Sequence, residues 1–224
     1  MEAIGIIVAM DKELNLILPL INNQSKININ GTEFTKGNIE GKDVVVMKCG
    51  IGKVNAAIAT LTLIDNFHVK SIINTGVAGG TGNDAKIMDV VIGERIAYHD
   101  VWCGPGTIPG QASGYPLFFE NPYPTKTLKS DKNIKFGLIA SGDIFVSDPK
   151  DLQKIKSLFP DVMAVDMESA SIAQVCFLKN VPFIAIRVIS DTPGKEDNIN
   201  QYENFWSEAP LTTFEVLKST LALL

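Results

Sequence analysis

The 224-residue sequence is poor in arginine and carries no excess of positive charge. Arg95 and Arg187 are its two arginines, and 25 acidic residues against 20 lysines and arginines give a net charge of −5. A nucleic-acid-binding surface needs concentrated positive charge to release counterions from phosphates. The composition therefore excludes a nucleic-acid partner and favours a small-molecule ligand.

Cysteine and histidine are also scarce. Cys49, Cys103 and Cys176 are odd in number and far apart, and the two histidines are His68 and His99. A disulfide framework needs paired cysteines, and a zinc site needs clustered cysteine and histidine ligands. We therefore expect no metal and no cofactor. Isolated thiols of this kind are typical of a reducing cytoplasm.

Long hydrophobic runs are missing, although 46% of the residues are hydrophobic. No apolar stretch approaches the ~20 residues that a membrane-spanning helix requires. The first apolar run, Ile4–Met10, stops at Asp11 and has no positive segment before it, so a signal peptide is not expected. The composition instead predicts one domain over residues 1–224, without membrane association and located in the cytoplasm.

Short β-branched runs alternate with helical patterns along the chain. The predicted strands are Ile4–Ala9, Val44–Lys48, Ser71–Thr75, Val90–Ile92 with Ile96–Tyr98, Phe136–Ala140 and Phe183–Ile189. The predicted helices are Lys12–Leu20, Lys53–Phe67, Pro149–Leu158, Glu168–Leu178 and Pro210–Leu224. This alternation predicts an α/β protein with three α/β/α layers and a central mixed, largely parallel sheet.

Two segments interrupt the alternation. Residues 101–124 contain five of the eleven prolines and four glycines without a helical period. Irregular loops of this length are usually functional, so we expect this one to cover the active site or a dimer interface. Residues 192–205, which begin with Thr192-Pro193-Gly194, are a second candidate lid.

Acidic residues follow several of the predicted strands. They are Glu13, Asp143, Asp166, Glu168 and Asp191. Ligands of open α/β sheets bind beyond the carboxyl ends of the strands, so these side chains are expected on one rim. Asp191 follows a strongly apolar strand, where a charge without a partner is costly.

Each of these signals also has a structural interpretation. Glu13 and Glu168 could be acids in the first turn of a helix, where the helix dipole stabilises a negative charge. The glycines in 76–80 could form a tight turn, and residues 50–53 could be a turn into a helix rather than a phosphate loop. Only the placement of all these residues at the ends of strands favours a site.

An acidic rim without a metal, a serine elbow or a catalytic cysteine suits cleavage of an acetal-like bond. One carboxylic acid protonates the leaving group, while a carboxylate activates water. A carboxyl group acts as an acid near neutral pH when an apolar setting raises its pKa, and Asp191 has the most apolar flank. These residues indicate a small-molecule hydrolase acting on a bond of the glycosidic type.

Seven short blocks of the sequence match one enzyme family in order. They are Ile4–Met10 with Glu13, Cys49–Val54, Asn74–Gly80, Tyr98–Val101, Ser141–Val146, Val165–Ala170 and Arg187–Asp191. On these blocks the chain resembles the 5′-methylthioadenosine/S-adenosylhomocysteine nucleosidases of the purine nucleoside phosphorylase superfamily. The resemblance implies a cofactor-free homodimer that hydrolyses an N-glycosidic bond.

The resemblance also implies a role for each matched residue. Asp191 would protonate adenine at N7, Glu13 would be the base for water, and Arg187 would orient that water. The implied substrate-binding residues are Ile51, Val77, Ala78, Gly79, Phe145, Val146, Asp166, Met167, Glu168, Ser190 and Tyr202. Among them, Glu168 would hold the ribose hydroxyls, and Ile51 and Tyr202 would receive the 5′-thio group.

The sequence departs from the family in three places. Val77 stands where some members have serine, Asp166 replaces a common glutamate, and the loop after Val101 does not align. Three rivals therefore stay open: a phosphorylase on the same fold, a nucleosidase for futalosine or another 5′-modified adenosine, and a non-catalytic nucleoside-binding protein. Because phosphate recognition generally uses arginines, their scarcity favours water as the nucleophile.

Overall fold

A computed structural model describes residues 3–128, 133–208 and 212–224 of the chain. Its strands are β1 (Ile4–Val8), β2 (Asn22–Ile29), β3 (Thr32–Ile39), β4 (Lys42–Lys48), β5 (Ser71–Gly80), β6 (Val90–Tyr98), β7 (Phe119–Glu120), β8 (Ile134–Ser141), β9 (Val162–Asp166) and β10 (Phe183–Asp191). Its α-helices are α1 (Asp11–Ile17), α2 (Lys53–Phe67), α3 (Pro149–Leu158), α4 (Ser169–Lys179), α5 (Asn198–Glu208) and α6 (Thr212–Leu221). No helix among the described residues combines the length and apolarity needed to cross a bilayer.

All ten strands belong to one mixed sheet. Its order is β10-β6-β8-β9-β5-β1-β4-β3-β2, with β7 attached to β6. Strand β10 pairs with β6 on one side and with β5 on the other, so these strands, β8 and β9 close into a ring. The predicted mixed sheet is confirmed, whereas the assumption of an open sheet is wrong because β10 bridges two strands.

Helices cover the sheet on both faces, as the three-layer prediction requires. Successive residues of a strand point to opposite faces. Ile72 on β5 belongs to a core cluster that includes Leu63 of α2, whereas its neighbour Ile73 shares a cluster with Ile17 of α1 and Leu217 of α6. The chain therefore buries apolar side chains on both sides of the strands that carry the rim.

The sequence interpretation missed the hairpin of β2 and β3. Strand β2 lies at the sheet edge and is mostly exposed, with the sequence Asn-Asn-Gln-Ser-Lys-Ile-Asn-Ile. An exposed edge strand needs no apolar alternation, so it leaves no signal of the kind used for the buried strands. The two predicted segments Val90–Ile92 and Ile96–Tyr98 form one strand, β6, which is irregular near Gly93.

The two segments that interrupt the alternation differ in outcome. Residues 101–124 are irregular apart from β7, which pairs with β6. The candidate lid over 192–205 is a loop only as far as residue 197, because α5 begins at Asn198. Of the last predicted helix, residues 210 and 211 lie outside the described residues, and its inward face is confirmed by the buried Leu217 and Leu221.

The glycine-rich stretch 76–80 is strand rather than turn, which corrects the tight-turn interpretation. Strand β5 continues through Gly80, and Gly76 has no positive φ. A Cβ atom added to Gly76 would lie 2.5 Å from Glu13 Oε1, and one added to Gly79 would lie 2.4 Å from Pro193 Cγ. Glycine is needed here because other groups approach the strand closely.

Candidate active site

A cleft lies where β1, β5, β9 and β10 end. With its open mouth it encloses about 610 Å³ of free space. Its walls contain every predicted site residue except Arg187: Glu13, Ile51, Val77, Ala78, Gly79, Phe145, Val146, Asp166, Met167, Glu168, Ser190, Asp191 and Tyr202. The fold therefore brings together residues from separate parts of the chain, as expected for the carboxyl ends of the strands. Asp143, which was also expected on this rim, is exposed and does not line the cleft.

Glu13 is held over the end of β1 by backbone amides. Its Oε2 atom accepts hydrogen bonds from the N–H groups of Ala9 at 2.8 Å and Met10 at 3.0 Å, and its Oε1 accepts one from Val77 at 3.1 Å. Burial raises the pKa of the Glu13 carboxyl, although nearby Arg187 and the three amides oppose the shift. The first-turn interpretation is thus incomplete, because the side chain turns into the cleft.

Asp191 ends β10 and is held by side chains instead. Ser190 Oγ donates to Asp191 Oδ1 at 2.6 Å, and Asn198 Nδ2 donates to Oδ2. Burial raises the pKa of Asp191, while these two hydrogen bonds lower it. The residue is 2% exposed and forms no ion pair with another described residue. Burial of this kind favours the protonated form of a carboxyl group.

Glu168 lies at the junction of β9 and α4. Its Oε1 accepts a hydrogen bond of 2.9 Å from the N–H of Gly52, which immediately precedes α2. Burial, with the negative charge of Asp166 second, raises the pKa of Glu168 to about 7. The turn of residues 50–53 therefore leads into a helix, as its structural interpretation held, and also positions a cleft carboxylate.

Asp166 lies at the floor of the cleft in a dense polar network. Its carboxylate accepts hydrogen bonds from Ser141 Oγ, Ser169 Oγ and Arg187 Nε, the last at 2.8 Å. Arg187 Nη2 lies 2.7 Å from Asp166 Oδ2, and both side chains are almost fully buried. A buried carboxylate of this kind is stabilised by a charge partner and several donors together.

Arg187 is the one predicted site residue outside the lining of the cleft. All its guanidinium nitrogens donate inside the protein: Nε to Asp166, Nη1 to the Asn74 and Ile186 carbonyls, and Nη2 to Asn74 Oδ1 and Ser169 Oγ. Its charge still lowers the pKa values of Glu13 and Glu168. Arg187 therefore acts on the cleft through its charge, and its implied role of orienting the water stays a prediction.

The mouth of the cleft is apolar. The rings of Phe145 and Tyr202 meet edge to face, with centroids 5.5 Å apart. The Tyr202 hydroxyl lies 3.3 Å from Met10 Sδ, and Ile51 is half exposed beside them. These side chains offer contact area to an uncharged ring or thioether and leave hydrogen bonding to the deeper groups.

Sequence reasoning missed two groups of residues. Five further lining residues are Ala9, Met10, Ile144, Val165 and Pro193. Four supporting polar residues are Asn74, Ser141, Ser169 and Asn198. Several members of both groups lie within the blocks that matched the family, which is the signal that could have found them. Asn198 lies outside those blocks and has no such signal.

The cleft concentrates acids without a metal site. Nowhere in residues 3–128, 133–208 and 212–224 do three histidine, cysteine or acidic side chains come together in a way that could hold a metal ion. Glu13, Glu168 and Asp191 are instead buried, and burial raises their pKa values. Carboxyl groups in such surroundings can donate and accept protons near neutral pH.

The fold and the cleft define a member of the phosphorylase superfamily. The family model described as "Phosphorylase superfamily" matches residues 3–222. A 5′-methylthioadenosine/S-adenosylhomocysteine nucleosidase of Lysinibacillus sphaericus is 38% identical, over 98% of this chain and 99% of its own. A nucleosidase of the same name from Streptococcus pneumoniae, solved with a transition-state inhibitor, superposes with a TM-score of 0.93, at 36% identity and 99% coverage of both chains.

Within that superfamily, this chain belongs to the 5′-methylthioadenosine/S-adenosylhomocysteine nucleosidase family. A related structure carries another name. The futalosine hydrolase of Helicobacter pylori strain 26695 superposes with a TM-score of 0.91, at 31% identity, over 100% of this chain and 98% of its own.

Proposed function

We propose that the chain hydrolyses the N-glycosidic bond of 5′-methylthioadenosine and S-adenosylhomocysteine and releases adenine. The observation that carries the proposal is the pair Glu13 and Asp191, two carboxyl groups with raised pKa values in one cleft. One is fixed by backbone amides and the other by side chains, so each keeps its own position. Family membership supplies the nucleoside class.

Asp191 is the general acid in this proposal. It protonates adenine at N7, which draws electrons from the bond between N9 and C1′ of the sugar. Burial raises its pKa, which favours the protonated form that a general acid needs. As the bond breaks, the sugar acquires oxocarbenium character and adenine leaves as a neutral base.

Glu13 is the general base. It takes a proton from a water molecule as that water attacks C1′, and the product is a free thioribose. Three backbone amides hold its carboxylate in place, so little rearrangement is needed at the moment of reaction. Arg187 supports the charged form of Glu13 from beneath, without contacting the cleft.

The remaining lining residues bind the nucleoside. Glu168 accepts hydrogen bonds from the ribose hydroxyls, Met167 packs on the sugar, and Phe145 stacks on adenine. The Val146 backbone binds the edge of the base, and Ser190 supports Asp191. The other contacts come from Val77, Ala78 and Gly79 on β5 and from Asp166 on the floor, with Ile51 and Tyr202 at the 5′ end.

Water is a better nucleophile than phosphate for this cleft. Binding a phosphate dianion generally requires several donors, often from arginine. Arg187 uses all its nitrogens inside the protein, and Arg95 pairs with Asp161 at the surface. Neither arginine of the chain is therefore available to hold a phosphate beside the sugar.

A second candidate substrate is futalosine. It is favoured by the likeness to the Helicobacter pylori futalosine hydrolase. The two substrates differ in the group at the 5′ end of the ribose and in the purine, because futalosine carries hypoxanthine instead of adenine. Tyr202 and Ile51 at the mouth meet the first difference, and the Val146 backbone meets the second. Competition assays with both nucleosides rank the two.

The active form is proposed to be a homodimer. Exposed apolar side chains line one face of α2, at Val54, Ile58 and Leu61, and continue on α4 at Phe177 and Leu178. Helices α2 and α4 pack against each other, and α2 begins beside the cleft. A second copy on this face would cover the apolar surface and the mouth together.

The proposed location is the cytoplasm. Cys49, Cys103 and Cys176 are free thiols, which are typical of a reducing compartment.

The dimer is tested by sedimentation and activity together. Ile58 is 61% exposed on α2, so Ile58→Glu should shift the protein to monomers and lower turnover. Leu158→Glu changes an exposed leucine on α3 and should leave the mass and the turnover unchanged. A wild-type protein that sediments as a monomer at assay concentrations would contradict the dimer.

The enzyme assignment is tested with Glu13→Gln. The amide keeps the size of the side chain but cannot take a proton from water, so kcat should fall by about 10²-fold or more. Binding of methylthioadenosine, followed by calorimetry, should persist. If Glu13→Gln keeps the wild-type turnover, Glu13 is not the base. If the wild-type protein binds nucleosides without cleaving them, the chain is a nucleoside-binding protein and not an enzyme.

A further inference from the structure

A single buried amide ties the proposed acid to another element of the fold. Asn198 is the first residue of α5 and is 2% exposed. Its Nδ2 donates to Asp191 Oδ2, while Ser190, the neighbour of Asp191 in the chain, holds Oδ1. One carboxyl oxygen is therefore fixed from within β10 and the other from α5.

The start of α5 is a firm anchor for that amide. The Asn198 N–H donates to the Lys195 carbonyl at 3.1 Å, and Gln201 on the next turn accepts a 2.8 Å hydrogen bond from the Thr192 N–H. Farther along the helix, Phe205 is buried in the core that contains α1 and α6. The position of the amide is thus set by the hydrogen bonds at the start of α5 and by the packing of that helix in the core.

The amide is kept although it is incompletely satisfied. Asn198 Oδ1 is buried and has no hydrogen-bond partner among the described residues. An unsatisfied buried acceptor destabilises a fold, and such groups are uncommon unless they serve another purpose. Here the purpose is the hydrogen bond that the Nδ2 atom of the same amide donates to Asp191.

We propose that Asn198 is a positioning residue that aims the Asp191 carboxyl at the purine N7 and limits how tightly it holds its proton. The proposal rests on the proposed role of Asp191 as general acid. A donor to Oδ2 restricts rotation of the carboxyl plane and favours its ionised form. Asn198 acts through Asp191 and is not itself among the residues that line the cleft.

Several titratable groups share the cleft with Asp191. Glu13 faces it from α1, Glu168 from the start of α4, and Tyr202 from α5. The Asp166–Arg187 pair lies beneath on β9 and β10. The Asn198 side chain donates to none of these other groups, so a change in pH dependence caused by Asn198→Ala belongs to Asp191.

The sign of the expected change follows from the hydrogen bond. The Asn198 amide lowers the pKa of Asp191, so removing it raises that pKa further. A general acid works while it is protonated, and the rate falls as pH rises through its pKa. The alkaline limb of the kcat profile should therefore move to higher pH, while the maximal kcat falls because the carboxyl is less well oriented.

The test compares Asn198→Ala and Asn198→Asp with the matched control Asn200→Ala. For Asn198→Ala we expect kcat to fall by about tenfold or more, with the alkaline limb about one pH unit higher. Asn198→Asp keeps the shape but places a second carboxylate against Asp191, so its limb should move further upward. Asn200→Ala removes an exposed asparagine of the same helix and should leave the limb in place.

Contrary outcomes separate this proposal from the proposed function. If Asp191→Asn abolishes turnover but both Asn198 variants keep the wild-type limb, Asn198 is only structural and the proposal is overturned. The proposal is also overturned if the Asn198 variants lose kcat without a shift of the alkaline limb. Thermal unfolding checks that these variants are folded. If Asp191→Asn retains turnover, the assignment of the acid itself fails.

Discussion

The two arginines of this chain form two Arg–Asp pairs in opposite surroundings. Arg187 and Asp166 lie 2.7 Å apart under the cleft, with side chains 2% and 1% exposed. Arg95 and Asp161 pair at the surface, with side chains 37% and 59% exposed. The same two residue types thus form one ion pair inside a low-dielectric core and another in water.

The difference between the two ion pairs explains why the carboxyl groups of the cleft have raised pKa values. Arg187 is committed to Asp166, Asn74 and Ser169, so it neutralises the carboxylate on the floor and reaches the others only at a distance. Burial therefore dominates at Glu13, Glu168 and Asp191, and their pKa values rise. A buried ion pair below the cleft leaves the acids above it ready for proton transfer.

The largest expected effect is the loss of stability when the buried ion pair is broken, compared with the same change at the surface pair. Asp166→Asn leaves the Arg187 charge buried without a counterion, and we expect a loss of about 3–5 kcal/mol in the free energy of unfolding. Asp161→Asn breaks a pair in water and should lose less than about 1 kcal/mol. Urea unfolding of both variants provides the measurement. Similar losses would show that burial does not distinguish the two pairs.

An intermediate effect is expected at Glu168, which has no cation of its own. Its pKa is raised from 4.5 to about 7, so the folded state binds its proton more tightly than the unfolded state. This shift contributes about 3 kcal/mol to the free energy of unfolding. The contribution is fully present below about pH 4.5 and is lost as pH rises through about 7.

Glu168→Gln should remove that part of the pH dependence. Urea unfolding at several pH values between 4 and 8 compares the wild type with this variant and with Glu33→Gln, a control at an exposed carboxylate paired with Lys26. If the wild type and Glu168→Gln lose stability in parallel over this range, the ionisation of Glu168 is not shifted.

The smallest effect concerns the surface pair. A double-mutant cycle on Arg95 and Asp161 should give a coupling energy of about 0.2–1 kcal/mol, and 1 M NaCl should reduce it because exposed charges are screened. Arg95 also lies over the Phe118 ring, at 4.8 Å from its centroid, and the cycle cancels that contribution. A coupling energy that is large and insensitive to salt would erase the contrast with the buried pair.

Buried elements could be predicted from the sequence, whereas exposed and tertiary features could not. The bounds of α2 and α3 were predicted as Lys53–Phe67 and Pro149–Leu158, and the structure has the same bounds. Strand β2 was missed because an exposed edge strand has no hydrophobic period, and its partner β3 was missed because only a few of its residues, such as Phe34 and Ile39, are buried. The closure of the sheet through β10 depends on pairing between distant strands, which no local pattern records.

The site could be predicted more fully than the fold around it. Glu13, Glu168 and Asp191 were found because acids after apolar strands are unusual, and all three line the cleft. The glycine run in 76–80 looked like a turn because the sequence does not show that the Glu13 carboxylate lies against Gly76. Asn198 was missed because an asparagine in a polar segment gives no sign of burial.

The central claim, that water and not phosphate attacks the sugar, is tested most directly by a product assay. The protein is incubated with 5′-methylthioadenosine with and without inorganic phosphate, and both adenine and the sugar product are identified. We expect equal adenine release under both conditions and a free thioribose. Release that requires phosphate and yields a sugar 1-phosphate would contradict it.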